Sequence, residues 1–259
     1  MSRMTDWSPG AYERTAVQLE PVAEVVVGAA DVQTGDRVLD VACGTGNALL
    51  AAAARGASVS GVDLAPRLVE VARDRAAHAG VDADLRVGDV TALPFEDAVF
   101  DAAISVFGVI FAAPARDAAS ELLRVVCSGG RIVVTAWIPE GPIHEASQLA
   151  RRAVEQFSGQ PTESQRNPSW GDPHELSALF APAPVRITEQ HLAFTASNPS
   201  VWVEDQLDHH PVWMGVAQTL GDRMAVVREE IIQLMIDGNE DPGAFRTTSR
   251  YRVVHVTVP

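Results

Sequence analysis

Short apolar runs alternate with longer helix-forming stretches through the first half of the chain. The apolar runs are Arg37–Val41, Ala57–Val62, Ala83–Val87, Phe100–Val106 and Arg131–Trp137. All five read as short strands, and Arg37–Val41, an apolar run with one acidic residue near its end, suits a buried parallel strand. Between them lie Asn47–Ala54, Pro66–Ala79 and Ala115–Val126, stretches of strong helix formers or of apolar residues at helical spacing. Strands and helices that alternate, except between the third and fourth strands, predict an α/β domain around a mostly parallel sheet. Ahead of it, Trp7–Ala30 places Tyr12, Ala16, Leu19, Ala23 and Val27 on one helical face. Pro21 is expected to interrupt that helix and start a second one, since proline is tolerated in a first turn.

After Trp137 the pattern changes. Pro142–Phe157 reads as a helix, Ser158–Ser169 as a polar loop and His174–Phe180 as a short helix. Val185–Ala196 alternates well enough for a sixth strand, and Arg250–Val258 for a seventh. Ser200–Asp237 between them is helical and amphipathic. About 50 residues there far exceed what a hairpin connection needs, so this stretch is expected to be an inserted helical lid.

The most informative stretch is Val38-Leu-Asp-Val-Ala-Cys-Gly-Thr-Gly-Asn47. It gives strand, glycine turn and helix in order. Gly44 and Gly46 suit such a turn because glycine tolerates positive φ and has no Cβ to hold a ligand off the backbone. A dinucleotide site would carry a third glycine where this chain has Leu49. Asp63 follows the second strand about 20 residues on, where a carboxylate can accept two ribose hydroxyls; the alternative is an ordinary N-cap. Gly88-Asp89-Val90 follows the third strand and, taken alone, equally marks a turn.

Asp40-x-x-x-Gly44-x-Gly46, Asp63, Gly88-Asp89 and the Gly129-Gly130 turn, in that order, resemble the class I S-adenosylmethionine-dependent methyltransferases. Ubiquinone- and menaquinone-type small-molecule enzymes are the nearest subgroup. The resemblance runs over roughly Trp7 to Trp137. It implies a Rossmann-like, seven-stranded, mostly parallel sheet with an antiparallel last strand, helices on both faces and a helical lid near the C-terminus. Within one domain it implies an N-terminal helical cover (1–36), a cofactor core (37–137) and substrate-side elements (138–259), with the lid at about 197–248.

The resemblance further implies S-adenosyl-L-methionine as cofactor and S-adenosyl-L-homocysteine as product. Ala42, Gly44 and Gly46 would cradle the amino-acid end, with Asp40 accepting its ammonium directly or through water. Asp63 would take the ribose, Leu64 and Leu68 would pack near adenine, Asp89 would accept the adenine amino group, and Val90 would offer its N–H. Trp7, Gly10 and Tyr12 match a Trp-x-x-Gly-x-Tyr stretch that covers the cofactor in such enzymes, which brings Tyr12 into the set. In that family the turn before the fifth strand often reads Pro-Gly-Gly; here Ser128 replaces the proline.

The end of the fourth strand is where an open α/β sheet presents chemistry, so Ser105, Val106, Phe107 and Gly108 should line the transfer site. No Asn/Asp-Pro-Pro-Tyr/Phe motif stands there, which argues against adenine or glutamine as acceptor. The apolar Phe107–Phe111 run points to an apolar small molecule and reads nearly as well as a strand entering a core turn; the family resemblance implies a bacterial secondary metabolite or a quinone-like or aromatic compound as acceptor. Methyl transfer from a sulfonium needs alignment more than side-chain chemistry, and a base only where the acceptor must lose a proton. His209, His210 and Glu204 are the candidate bases. Adjacent histidines on a helix do not share a face, so at most one would reach a substrate, and a capped helix terminus before Pro211 is the plainer reading.

Composition narrows the class further. A net charge of −14 repels phosphate backbones and argues against nucleic-acid binding. Hydrophobic residues at 47% argue against disorder, and no apolar run approaches the roughly 20 residues of a membrane span. The N-terminus lacks the apolar core of a secretion signal, and Cys43 and Cys127 lack metal-site spacing, so a reduced cytoplasm is the expected setting and no metal is expected. Two other classes stay open: an NAD-dependent oxidoreductase, disfavoured by Leu49, and a protein that binds S-adenosylmethionine without transferring methyl.

Overall fold

The computed structural model describes residues 6–159 and 170–259. The expected Ser158–Ser169 loop falls, from residue 160, outside the described residues. The elements are α1 (Tyr12–Ala29), β1 (Arg37–Val41), α2 (Asn47–Ala53), β2 (Ser58–Asp63), α3 (Pro66–His78), β3 (Ala83–Val87), β4 (Phe100–Ser105), α4 (Ala115–Val125), β5 (Val126–Trp137), α5 (Gly141–Ser158), α6 (Pro173–Leu179), β6 (Val185–Ala196), α7 (Pro199–His209), α8 (Pro211–Leu220), α9 (Met224–Asp237) and β7 (Phe245–Thr257). Seven strands form one sheet in the order β3-β2-β1-β4-β5-β7-β6. β1 to β5 pair in parallel, and β7 runs antiparallel to β5, with Arg131 opposite Thr257 and Trp137 opposite Tyr251. The order reverses between β1 and β4, which is where such sheets open a crevice at their carboxyl edge.

The chain divides into two compact units. One comprises Leu19–Trp137, Arg166–Gln190 and Tyr251–Pro259 and holds most of the sheet. Its core is built from strand positions such as Leu39, Val41, Ile104 and Ile132, against Leu49, Val69, Leu122 and the later turns of α1, all almost fully buried. Trp170, Leu176 and Phe180 extend it, and α6 packs on α4. The other comprises Met1–Gln18, Ile138–Gln165 and His191–Arg250. Here α5, α7, α8 and α9 pack on one another around Ala146, Trp202, Ile231 and Met235, with Phe245 tilted against Trp202 at 5.5 Å.

Three expectations need correction. Pro21 does not split the first helix: α1 runs unbroken from Tyr12 to Ala29 with Pro21 inside it. An interior proline costs about 3 kcal/mol. Beyond it Val22, Val26 and Val27 are fully buried, each contributing about 1.5–3 kcal/mol, which outweighs the lost hydrogen bond. The Ser128-Gly129-Gly130 segment is not a plain turn but lies inside β5, where the register against β4 slips between Phe100 and Ala102. A Cβ on Gly130 would stand 2.5 Å from Val126 and 2.9 Å from the Asp101 carbonyl, so only glycine lets the strand close in. Last, β7 starts at Phe245 rather than Arg250, because Phe245 and Thr247 are buried and hold the strand's early register. No described helix is long and apolar enough to cross a membrane.

Candidate functional site

The site is built at the carboxyl ends of β1 to β4. As β1 ends, Ala42 adopts φ +54°, followed by Gly44 at +53° and Gly46 at +83°. The glycines do this freely, whereas Ala42 does it against its own Cβ, a strain that accumulates at functional sites. The turn is fixed from three sides. Gly46 N–H donates to the Cys43 carbonyl and Cys43 N–H to the Val62 carbonyl. From α3, Arg75 Nη1 donates to the Thr45 carbonyl, Thr45 Oγ1 and Asn47 Oδ1. Cys43 itself is a buried thiol, and it touches the space Gly61 leaves open.

Two carboxylates hold the turn from within. Asp40 Oδ2 accepts the Leu49 N–H at 2.9 Å, so a strand residue caps the first turn of α2. Asp63 Oδ2 accepts the Gly44 N–H at 2.8 Å and its Oδ1 the Ala65 N–H at 2.9 Å. Asp40 is 2% exposed and Asp63 9%. Among the described residues neither has an ion-pair partner. Burial raises the Asp40 carboxyl to about 8, against the pull of the Leu49 amide and with the charge of Asp63 adding to the rise. Asp63 is raised as well, by burial first, with the Ala65, Gly44 and Leu64 amides opposing it. Desolvated carboxylates without a counterion are stabilised by an incoming cation and repel an incoming phosphate.

The loops after β2 and β3 join the same edge. Gly88 N–H donates to the Asp63 carbonyl at 3.0 Å. Asp89 Oδ1 accepts the Thr91 N–H and hydroxyl, capping a short 3₁₀ turn at Val90–Ala92, so the Gly-Asp signal is both a turn and part of this edge. Leu64 at 43% and Val87 at 51% exposure leave apolar surface beside Asp63 and Asp89. Leu68, by contrast, is buried in α3.

β4 brings the fourth loop. The Ser105 side chain is wholly buried; its hydroxyl donates to the Val41 carbonyl at 2.7 Å and accepts the Val109 N–H at 3.2 Å. That hydroxyl crosslinks β1 to the loop after β4, its donor and an acceptor position both engaged within the protein. Gly108 packs against Ala42, where a Cβ would meet the Ala42 Cβ at 2.4 Å and its carbonyl at 2.8 Å. Phe107 holds φ +55°, with its N–H on Thr135 Oγ1 at 2.9 Å, and stacks on Trp137 at 3.7 Å. Thr135 and Trp137, at the end of β5, had no signal in the sequence beyond their place at a strand end.

The remaining candidates lie in the helical unit. Tyr12, Trp7 and His210 meet edge to face, with ring centroids 5.5–6.0 Å apart. Gly10 lets the chain approach the α7–α8 junction: Ala11 N–H donates to the His209 carbonyl, and a Gly10 Cβ would lie 2.3 Å from that oxygen. His210 caps α8, its Nδ1 accepting the Val212 N–H at 3.2 Å. That fixes the proton of a neutral ring on Nε2, leaving a donor rather than a base. His209 is oriented the other way. Its Nδ1 lies 3.1 Å from the Asp205 carbonyl and 3.4 Å from Asp205 Oδ1, which favours the proton on Nδ1 and a lone pair on Nε2. Asp205 also pairs with Arg14. Glu204 accepts from Arg228 at 2.8 Å, an ion pair and not a poised base.

Among the described residues no three His, Cys, Asp or Glu side chains group to hold a metal. Asp101 sits at the amino end of β4, where the Arg37 guanidinium and amide hold its carboxyl at about 2, well below the usual range.

Residues 38–130 match a family described as "Methyltransferase domain". An uncharacterized protein of Mycobacterium tuberculosis is 43% identical over 136 residues, 52% of this chain and 50% of that protein. The demethylmenaquinone methyltransferase of Thermus thermophilus is 41% identical over 105 residues, 40% of this chain and 48% of that one. The chain thus spans about half the length of these curated relatives. A crystal structure of a putative methyltransferase from Bacillus halodurans superposes with a TM-score of 0.62 at 20% identity, covering 92% of this chain and 98% of that one, a likeness of fold.

Proposed function

We propose, from the premise that this chain carries a class I S-adenosylmethionine-dependent methyltransferase domain, that it transfers the methyl group of that cofactor to a small-molecule acceptor. The observation that carries the reading is the pair of buried, raised carboxylates around the glycine turn. A dinucleotide rests its pyrophosphate on the amides opening the helix after such a turn. Here the Leu49 amide, one of those that open α2, is already taken by the buried Asp40 carboxyl. A sulfonium nucleoside with an ammonium tail suits the same place.

The turn backbone at Ala42, Gly44 and Gly46 cradles the amino-acid end, with Asp40 behind it supplying negative charge. Asp63 keeps acceptor capacity after its two amide bonds, enough for the ribose hydroxyls. Leu64 offers exposed apolar surface for adenine, Asp89 accepts its amino group through the oxygen not used in the cap, and Val90 offers its N–H. The cofactor, when bound, supplies an activated methyl carbon. The protein's part is alignment and exclusion of water, achieved by a rigid floor at Ser105–Gly108. Where the acceptor is a phenol or enol, His209 has the tautomer of a base, held by Asp205. The Thermus relative's name points to quinone-type acceptors as the first to try.

Incubation with methyl-labelled S-adenosylmethionine and a panel of quinols and phenols tests the reading. Methylated product and S-adenosylhomocysteine are expected in equal amounts. Cofactor binding with no S-adenosylhomocysteine formed from any acceptor would favour a regulator or rearrangement catalyst instead.

A further inference from the structure

A cavity of about 250 Å³ lies beside the end of α1, against β5, β7 and β6. All its lining residues belong to the unit that holds most of the sheet. Its place follows from register. Arg131 stands opposite Thr257, and Val133 opposite His255. Paired residues of antiparallel strands share a face, as do residues two apart, so all four project on one side of the sheet. β6 is the next strand beyond β7 and adds Arg186 to the lining. Arg131 is also level with Ala102, near the amino end of β4, whereas the glycine turn follows the carboxyl end of β1. The cavity therefore sits toward the other end of the strands from the cofactor edge. Its lining is basic in an acidic chain. Two arginines and a histidine reach it, and among the described residues no carboxylate lines it, although the chain carries a net charge of −14. Arg131 donates from Nε to the Ala30 carbonyl and from Nη2 to Asp36, and its Nη1 makes no bond among the described residues. Arg186 is exposed and makes no ion pair among the described residues; its guanidinium donates from Nη2 to His255 Nδ1 at 3.1 Å. Arginine can only donate, so the ring accepts there and is neutral. Burial first, then the Arg186 charge, hold the His255 ring below its ordinary value, against the Ala29 carbonyl, which raises it. The carbonyls ending α1 would repel an anion, but each is faced by a side chain: Ala30 by Arg131, and Ala29 by the His255 ring.

We infer that this cavity binds a phosphate group, free or as the monoester of a small molecule. The available donors come from three strands: Arg131 Nη1 from β5, the Thr257 hydroxyl from β7 and the remaining N–H groups of Arg186 from β6. A planar carboxylate is satisfied by the fork of one guanidinium. A tetrahedral phosphate presents three oxygens beyond its ester bond and can take donors from several directions at once. Val133 and Val185 give the lining an apolar part for the carbon side of an ester. The site stands apart from the proposed methyl transfer and uses none of the residues assigned to it.

The full chain is titrated by calorimetry with ethyl phosphate, inorganic phosphate and acetate, at one ionic strength so that general screening is the same throughout. One-to-one binding of a phosphate is expected, saturating by about 10 mM, with acetate at least about tenfold weaker. Tighter binding of ethyl phosphate names an ester as the occupant, and equal or tighter binding of inorganic phosphate names the free ion; either supports the site. Arg186→Gln should weaken the phosphate at least about tenfold as charge-assisted hydrogen bonds are lost, and Arg186→Lys should recover part of that, keeping the charge without the fork. Arg186 is exposed, so neither replacement opens the core. No saturable heat from either phosphate overturns the inference, as does acetate bound as tightly as they are, or an unchanged affinity in Arg186→Gln. Neither S-adenosylmethionine nor an acceptor takes part, so the result is independent of whether methyl transfer occurs.

Discussion

Asp40 shows how one residue links stability to ligand charge. Its carboxyl titrates near 8 in the folded chain against 3.8 ordinarily. Between those values the native state holds a proton that the unfolded chain has released. Asp40 therefore stabilises the free protein most below about pH 4, and that contribution is lost as pH rises toward 8. A ligand that sets an ammonium group beside Asp40 favours the ionised form, so its affinity should rise over the upper part of the same window. Thermal unfolding with and without S-adenosylhomocysteine is expected to show a larger ligand-induced shift at pH 8 than at pH 6. In Asp40→Asn the difference between the two pH values should shrink. An equal shift at both pH values in the unmodified chain would show that Asp40 is not where the ligand's charge is felt. Asp101 is the opposite case: Arg37 lowers its carboxyl, so its contribution is present above the ordinary carboxylate range and lost as pH falls toward 2.

The elements explain why some of this was legible in the sequence and some was not. The strand–turn–helix around Gly44 and Gly46 could be read because positive φ and close packing demand glycine, and Asp40 and Asp63 because strand ends fix where a side chain emerges. The hydrogen bonds were not legible, since Asp40 reaches a helix amide nine residues on and Asp63 an amide nineteen residues back. Ser105 was placed at the right strand end without its crosslinking task there. Sequence gives position, but only the fold shows that Val41 and Val109 consume its hydroxyl. Removing that hydroxyl strands a buried amide, which costs about 1–3 kcal/mol. Ser105→Ala should therefore lower the unfolding midpoint in denaturant, with S-adenosylhomocysteine affinity only secondarily affected. Loss of affinity at unchanged stability would return Ser105 to the binding surface. Pro21 failed as a helix break because the buried face running through it, Leu19, Ala23 and Val27, outweighs one lost hydrogen bond.

At the scale of the whole molecule the parallel strands follow from the alternation of strands and helices, while the antiparallel β7 was implied by the family resemblance and the strand order was not read at all. The helical unit was legible as helices but not as an assembly. The meeting of Trp7, Tyr12 and His210 depends on contacts between segments some 200 residues apart, and nothing local encodes it, whereas the opposite tautomers of the two neighbouring histidines are set by contacts within four residues. What unites the account is a cradle whose charge is wrong for a pyrophosphate and right for a sulfonium amino acid. Isothermal titration of the full chain with S-adenosylhomocysteine and, separately, with NAD⁺ tests that most directly, with Asp63→Ala as the comparison. The account predicts one-to-one binding of S-adenosylhomocysteine, at least about tenfold weaker in Asp63→Ala as hydrogen bonds to a charged group are lost, and no heat from NAD⁺. Binding of NAD⁺, or no heat from S-adenosylhomocysteine in the unmodified chain, would contradict it.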